Sequence, residues 1–370
     1  MLLDKGKISA FQLGLMMYPT VLATGLLALP TITAQYAKND LWLTSIFASI
    51  LGFISVYIAT RLHELYPKMT VIQYSERILG KIPGKLVGFV FFVFTLHSTG
   101  IISRQYADFV KGNFLFKSPI LLVISSIILL TAFAVRGGVE ILARSAVIFT
   151  PIFILPIFIL LVLIPDMDVK NIFPILSHGI IPVIKGSAAP MGWVSEFFIM
   201  TFFLPYLADP EKGGKWGFIS LSAITLSMIY VNLLILFLLG PDVGNKTYPV
   251  FVAFRYISVG NIFENMEALL LAMWVVGNFI KIGVFYYAAV LSFGQWLNLS
   301  EYRPYVFPLG IFIVALSMWD LPSFTRLAFF ITYFDTFYLL SVLLLIPLLL
   351  LIVALLRKGK SIGEGDNQPF

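Results

Sequence analysis

Cysteine is absent from the 370-residue chain. Its absence excludes disulfides, thiolate catalysis, iron–sulfur clusters and cysteine zinc sites. Charge is scarce too: Asp, Glu, Lys and Arg make up 12% of the residues, about half of the roughly 25% usual in a soluble domain. With 59% hydrophobic residues beside so little charge, a water-soluble enzyme is excluded. So is a disordered chain, which needs the opposite bias. The histidines, His63, His97 and His178, are too scattered for a metal site. His63-Glu64 lacks the second histidine of a zincin, and no phosphate-binding lysine loop or Gly-x-Ser-x-Gly elbow occurs. No enzyme activity and no cofactor are expected.

What the chain does have is long apolar runs. A bilayer-crossing helix needs about 20 mostly apolar residues at 1.5 Å rise each. Ten runs qualify approximately: Phe11–Tyr36, Trp42–Leu62, Leu86–Val110, Pro119–Val135, Ile141–Ile164, Ala188–Leu207, Trp216–Leu239, Glu267–Leu291, Tyr305–Met318 and Phe329–Leu356. The first run has no Ala-x-Ala-like end, so no cleavable signal is expected. Most of the 25 Lys and Arg residues fall on one set of alternate loops together with both termini. The net charge of +6 therefore reads as membrane orientation rather than nucleic-acid affinity, with both termini cytoplasmic. Trp42, Trp216, Tyr305 and Trp319 fall at span ends, as interfacial anchors do. The expectation is one all-α transmembrane domain over residues 1–370. It divides into a first repeat of about 8–165, a second of about 187–356, and a short cytoplasmic tail at 357–370.

Backbone interruptions survive in hydrocarbon only where they are buried or line a cavity. The first span carries Thr24-Gly25 with Pro30 beyond, and the sixth opens on Ser187-Ala-Ala-Pro190-Met191-Gly192. An ordinary kink, or close packing through small residues, is the alternative for each. Placed at corresponding points of two five-span halves, they suggest broken helices around a midplane site, as in inverted-repeat transporters. Freed N–H groups there favour a carboxylate and freed carbonyls a cation, so a zwitterionic amino acid satisfies both.

An ionisable group at mid-span costs about 2.5–3.5 kcal/mol on insertion scales and marks a candidate site. Lys281 lies fourteen residues into the eighth span, sharing a face with Glu267 but out of its reach. Either it snorkels to the inner headgroups, or it packs against the first helix as a built-in cation. Glu196 follows the sixth-span break; it is placed to accept a ligand amino group, to pair with a basic side chain, or to stay protonated. His97, Gly100 and Arg104 form one face of the third span, and Arg104 can reach Asp108. Asn278 is a weaker candidate one turn before Lys281.

Particular strings also look familiar. They are Ile8-Ser-x-Phe11-Gln12, Thr24-Gly25-Leu26-Leu-Ala-Leu-Pro30, Ala37-x-x-Asp40-x-Trp42, Tyr66-Pro67-x-x-Thr70-x-x-Gln73-Tyr74 and Leu79-Gly80-Lys81-x-x-Gly84-Lys85. Further on come Pro174-Ile-Leu-x-x-Gly179-Ile, Lys185-Gly186, Glu196, Leu204-Pro205-Tyr206, Tyr248-Pro249, Arg255, Phe263-Glu264 and Glu267. In order and spacing the chain resembles the B subunit of the nutrient germinant receptors of endospore-forming bacteria, a branch of the amino acid–polyamine–organocation superfamily. The resemblance implies a five-plus-five inverted-repeat fold with helices 1 and 6 broken. It implies a spore inner-membrane subunit that works with a larger A subunit and a lipoprotein C subunit to sense an amino acid or sugar. Carried over, the pocket would include Thr24, Gly25, Leu26, Met191, Gly192, Trp193 and Glu196. A proton-coupled amino acid permease is the competing function.

Overall fold

The computed structural model describes residues 3–257 and 266–365, with side chains to residue 357. Phe263-Glu264 and the last residues of the tail lie outside the described residues. The described residues form fifteen α-helices: α1 (Ala10–Ala37), α2 (Leu41–Leu65), α3 (Val71–Leu79), α4 (Lys81–Asn113), α5 (Ile120–Gly137), α6 (Val139–Ile159), α7 (Ile180–Gly186), α8 (Ala188–Ser195), α9 (Gly213–Leu239), α10 (Pro249–Tyr256), α11 (Glu267–Trp296), α12 (Val306–Trp319), α13 (Phe324–Tyr333), α14 (Asp335–Leu340) and α15 (Ile346–Gly365). Among the described residues there is no strand, only an isolated bridge between Ile8 and Leu207. Within the described residues eight helical stretches are long and apolar enough to cross a bilayer, and the bent pair α12–α13 adds a ninth. One of the eight, Ala10–Leu65, joins α1 and α2 through the reversal at Lys38–Asp40, so the expected ten crossings are accounted for.

Local sequence explains where these helices start and turn. Ser9 and Gln12 form a reciprocal capping box at α1, and Thr70 and Gln73 do the same at α3, satisfying orphan N–H groups. At the α5–α6 junction Gly138 takes φ +94°, in the left-handed region that glycine enters without a steric cost. Glycine also permits the close crossing of α3 and α4: a Cβ on Gly84 would lie 2.3 Å from the Glu76 Cα.

The first span is not broken, contrary to expectation: α1 is helical through Thr24, Gly25 and Pro30. Gly25 serves close packing instead, because a Cβ there would meet the Trp193 ring at 2.8 Å. Proline does disturb α1 lower down. Pro19 lacks the N–H that would bond Leu15, and the freed Leu15 carbonyl accepts from the Thr150 hydroxyl at 2.9 Å. The sixth span does depart from α-helix, though not at Pro190 or Gly192, which lie within α8. It tightens into a 3₁₀ segment at Glu196–Phe202, and a further short turn, Leu204–Tyr206, completes it. Such a run inside a span exceeds the usual length of 3₁₀ helix and often marks a functional hinge. The tenth span is interrupted as well, by a π-helical turn at Ser341–Leu345.

Two helices organise the interior. α11 packs against α4, α6, α1 and α5, and α1 packs against α9, α6 and α11. α12 has 14 residues, about 21 Å of helix against a hydrocarbon thickness of about 30 Å. It ends short, the chain turns through 93°, and α13 packs on α4 and α14.

Candidate functional site

Lys281 stands near the middle of α11, about 21 Å of helix from Glu267 at its start. It is 1% exposed and pairs with Glu196, Nζ lying 3.0 Å from Oε1 and 2.8 Å from Oε2. Glu196 is itself buried and is the first residue of the 3₁₀ segment. The tightening of the sixth span thus begins at the residue that meets the lysine. Lys281 therefore neither snorkels nor contacts freed carbonyls of α1. A buried charge must be paired, and removing one partner of such a pair costs about 3–5 kcal/mol.

A second carboxylate joins this pair. Asp335 opens α14, lines the same cavity as Trp193 and Glu196, and lies within Coulombic range of Lys281. One ammonium thus faces two carboxylates. Together with Thr24, Ser98, Gln105 and the apolar walls Ile101, Ile102, Ile331 and Leu339, these residues line a cavity of about 30 Å³. That is room for about one water. The Gln105 amide also donates to the Thr24 carbonyl at 3.4 Å.

The structure gathers Thr24, Trp193, Glu196 and Lys281 from the expected set at this cavity, with Gly25 directly behind Trp193. The others lie elsewhere. Leu26 is in the core, and Gly192 packs on Thr336 and Leu339 of α14. Met191 is half-buried against the core and does not line the cavity. His97 faces α12 and α14, bonding Asp320 at 2.8 Å and Tyr338 at 2.9 Å, and Gly100 packs on α12. Arg104 bonds Asp108 at 3.0 Å and the Pro322 carbonyl at 3.3 Å, tying α4 to the α12–α13 turn. Asn278 donates to the Trp274 carbonyl within its own helix. Glu267 sits at the start of α11, a helix half-length from the cavity. Sequence reasoning missed Asp335, Ser98 and Gln105. Asp335 carried a signal, an acid inside the apolar run Phe329–Leu356; the other two follow candidates in sequence and turn inward only once the helix faces are known.

Comparison with known proteins bears on this geometry. A family model described as spore germination protein matches residues 7–325. Spore germination protein KB of Bacillus subtilis (strain 168) is 23% identical over 98% of this chain and 99% of its own length. Spore germination protein A2 of the same organism is 24% identical, covering 95% and 97%. Among solved structures, MhsT in complex with L-phenylalanine superposes with a TM-score of 0.67 at 13% identity, covering 95% of this chain and 99% of its own. Mhp1, a nucleobase-cation-symport-1 family transporter in a closed conformation, gives 0.64 at 12% identity, covering 94% and 78%. These likenesses fix the fold as that of LeuT-type transporters.

Proposed function

The chain belongs to the spore germination protein family, and from that premise we propose that it is a nutrient-sensing membrane subunit of a spore germinant receptor. Its ligand is a small amine-bearing nutrient, most simply an amino acid, taken at the Lys281–Glu196–Asp335 cavity. It acts in the spore inner membrane with both termini cytoplasmic, and partner A and lipoprotein C subunits report its change of state.

The observation that carries this reading is the charge count at one small cavity: the Lys281–Glu196 pair and a second carboxylate, Asp335, line it against a single ammonium. An arriving ammonium finds an acid in excess at Asp335 or Glu196. The ligand's carboxylate finds Lys281, released from Glu196 as the amine replaces it. The exchange conserves pairing throughout, which is the condition for moving charge in a dry interior. At about 30 Å³ the cavity admits no amino acid without movement of a wall. The wall fitted to move is α13, which contributes Ile331 yet buries only Leu327 fully. Ligand binding that favours one position of α13 shifts a two-state bundle by its differential affinity for the two states.

The test uses the full chain in nanodiscs, scanned for thermal stabilisation by single amino acids and sugars. Stabilisation by at least one amino acid, lost in Asp335→Asn, is expected; no response to any amine-bearing nutrient contradicts the reading. A second reading, a proton-coupled amino acid permease, draws on the same buried ion pair. Saturable uptake into proteoliposomes containing this chain alone, driven by a pH gradient, assigns it to that class.

A further inference from the structure

At the end of the bundle that carries most of the loop lysines and arginines, a second cavity opens between α3 and the end of α11. Its volume is about 940 Å³, within the range of ligand pockets. Its charged lining is Lys68, Arg77 and Lys81 against the single acid Glu76. The three cations are exposed, and none of them makes an ion pair or hydrogen bond with the described residues. Three unneutralised cations around one concavity repel one another, so they favour an anion that gathers them. The helix α3 that carries Arg77 is held in place by its Thr70–Gln73 capping box, and the Thr70 hydroxyl donates to Oε1 of Gln295.

Gln295 supplies a second, independent observation. It is 6% exposed, it lines this cavity, and its Nε2 is a buried donor without a hydrogen-bond partner among the described residues. An unpaired buried amide donor costs about 1–3 kcal/mol, so such a group calls for an acceptor. We propose that Lys68, Arg77, Lys81 and Gln295 form a binding site for a phosphate-bearing anion, separate from the Lys281 cavity and independent of the function proposed for it. The net lining charge of two positives matches a phosphate monoester, which carries about −1.5 to −2 at neutral pH. Arg77 offers a planar fork for two oxygens, and Lys68 and Lys81 act as point charges. Leu3, Met69 and Ile72 leave an apolar wall beside the cations for the organic part.

Two sources share this chemistry, the headgroup of an anionic phospholipid and a free phosphorylated small molecule. The full chain in phosphatidylcholine nanodiscs separates them. One arm adds short-chain phosphatidic acid, whose headgroup is a phosphate monoester, the other glycerol 3-phosphate, and thermal stabilisation is followed against concentration. Saturable stabilisation in either arm is expected, and the arm that responds names the source. Arg77→Ala/Lys81→Ala weakens the apparent affinity about tenfold or more, the loss of one or two charge-assisted hydrogen bonds. Gln295→Glu weakens it too, by placing a carboxylate in the wall while keeping the acceptor for Thr70. Arg144→Ala/Lys215→Ala, the same change in net charge away from the cavity, leaves it as in the wild type. Saturation in neither arm, or equal weakening by the Arg77/Lys81 and the Arg144/Lys215 double variants, overturns the site.

Discussion

Among the described residues two ion pairs are buried, and they differ in reach. Arg104–Asp108 lies within one helix, four residues apart, with side chains 5% and 10% exposed. Lys281–Glu196 joins residues 85 apart in sequence on different spans, with side chains 1% and 5% exposed. The first needs only α4 to form, and it then lends a guanidinium N–H to the Pro322 carbonyl. The second exists only when α11 and the sixth span are docked. A local pair decorates a fold, whereas a long-range buried pair reports that the fold has closed around its site.

The sharpest way to break this contrast is to remove one charge from each pair. Glu196→Ala leaves an uncompensated buried ammonium and is expected to destabilise the protein by about 3–5 kcal/mol, read as a large fall in thermal midpoint in detergent. Glu196→Leu/Lys281→Met removes both charges and is expected to regain most of that loss, because a buried pair replaced by apolar groups is often neutral. A double variant as unstable as the single one contradicts the pairing.

Next in size is Gly25→Leu. The new side chain meets Trp193 where even a Cβ lies 2.8 Å away. Overpacking costs about 1–3 kcal/mol, and the displaced indole no longer walls the cavity beside Asp335, so nutrient stabilisation should vanish while the protein stays in the membrane. Retained nutrient stabilisation in this variant means Trp193 does not order the site. Asp108→Ala removes the local pair and leaves Arg104 bound to Pro322; about 1–2 kcal/mol is expected, with ligand response intact.

The smallest effect is a pH dependence outside the spans. Asp4 is buried, which by itself raises its carboxyl. Hydrogen bonds donated by Gly6 and Val139 N–H and by the Tyr302 and Tyr287 hydroxyls outweigh that burial and hold it below the usual 3.8. A depressed folded value means the stabilisation is present in full above the unfolded value and is lost as pH falls through the folded one. Wild type should therefore lose stability below about pH 4 more steeply than Asp4→Asn, in paired thermal scans from pH 7 to 3. Parallel curves contradict that role.

The same contrast explains how much the sequence disclosed. Run length and hydropathy sufficed for the ten spans, and the i, i+4 spacing sufficed for Arg104–Asp108, because both are properties of neighbouring residues. The partner of Lys281 depends on how two distant helices face each other, which no spacing encodes. Gly25 was misleading for a related reason: glycine marks both a bend and a close approach, and only the position of Trp193 distinguishes them. Asp335 sat in plain view within an apolar run, where an acid has the same insertion cost as Lys281.

The central claim is that the Lys281–Glu196–Asp335 cavity is where the nutrient binds. Since the chain has no cysteine, a single Ser98→Cys places one thiol in the cavity wall, and a small methanethiosulfonate reagent measures its access. A nutrient that stabilises the wild type should slow modification of that thiol about tenfold at saturation while leaving a thiol at Arg357→Cys unaffected. Equal modification rates with and without such a nutrient would place its binding somewhere else.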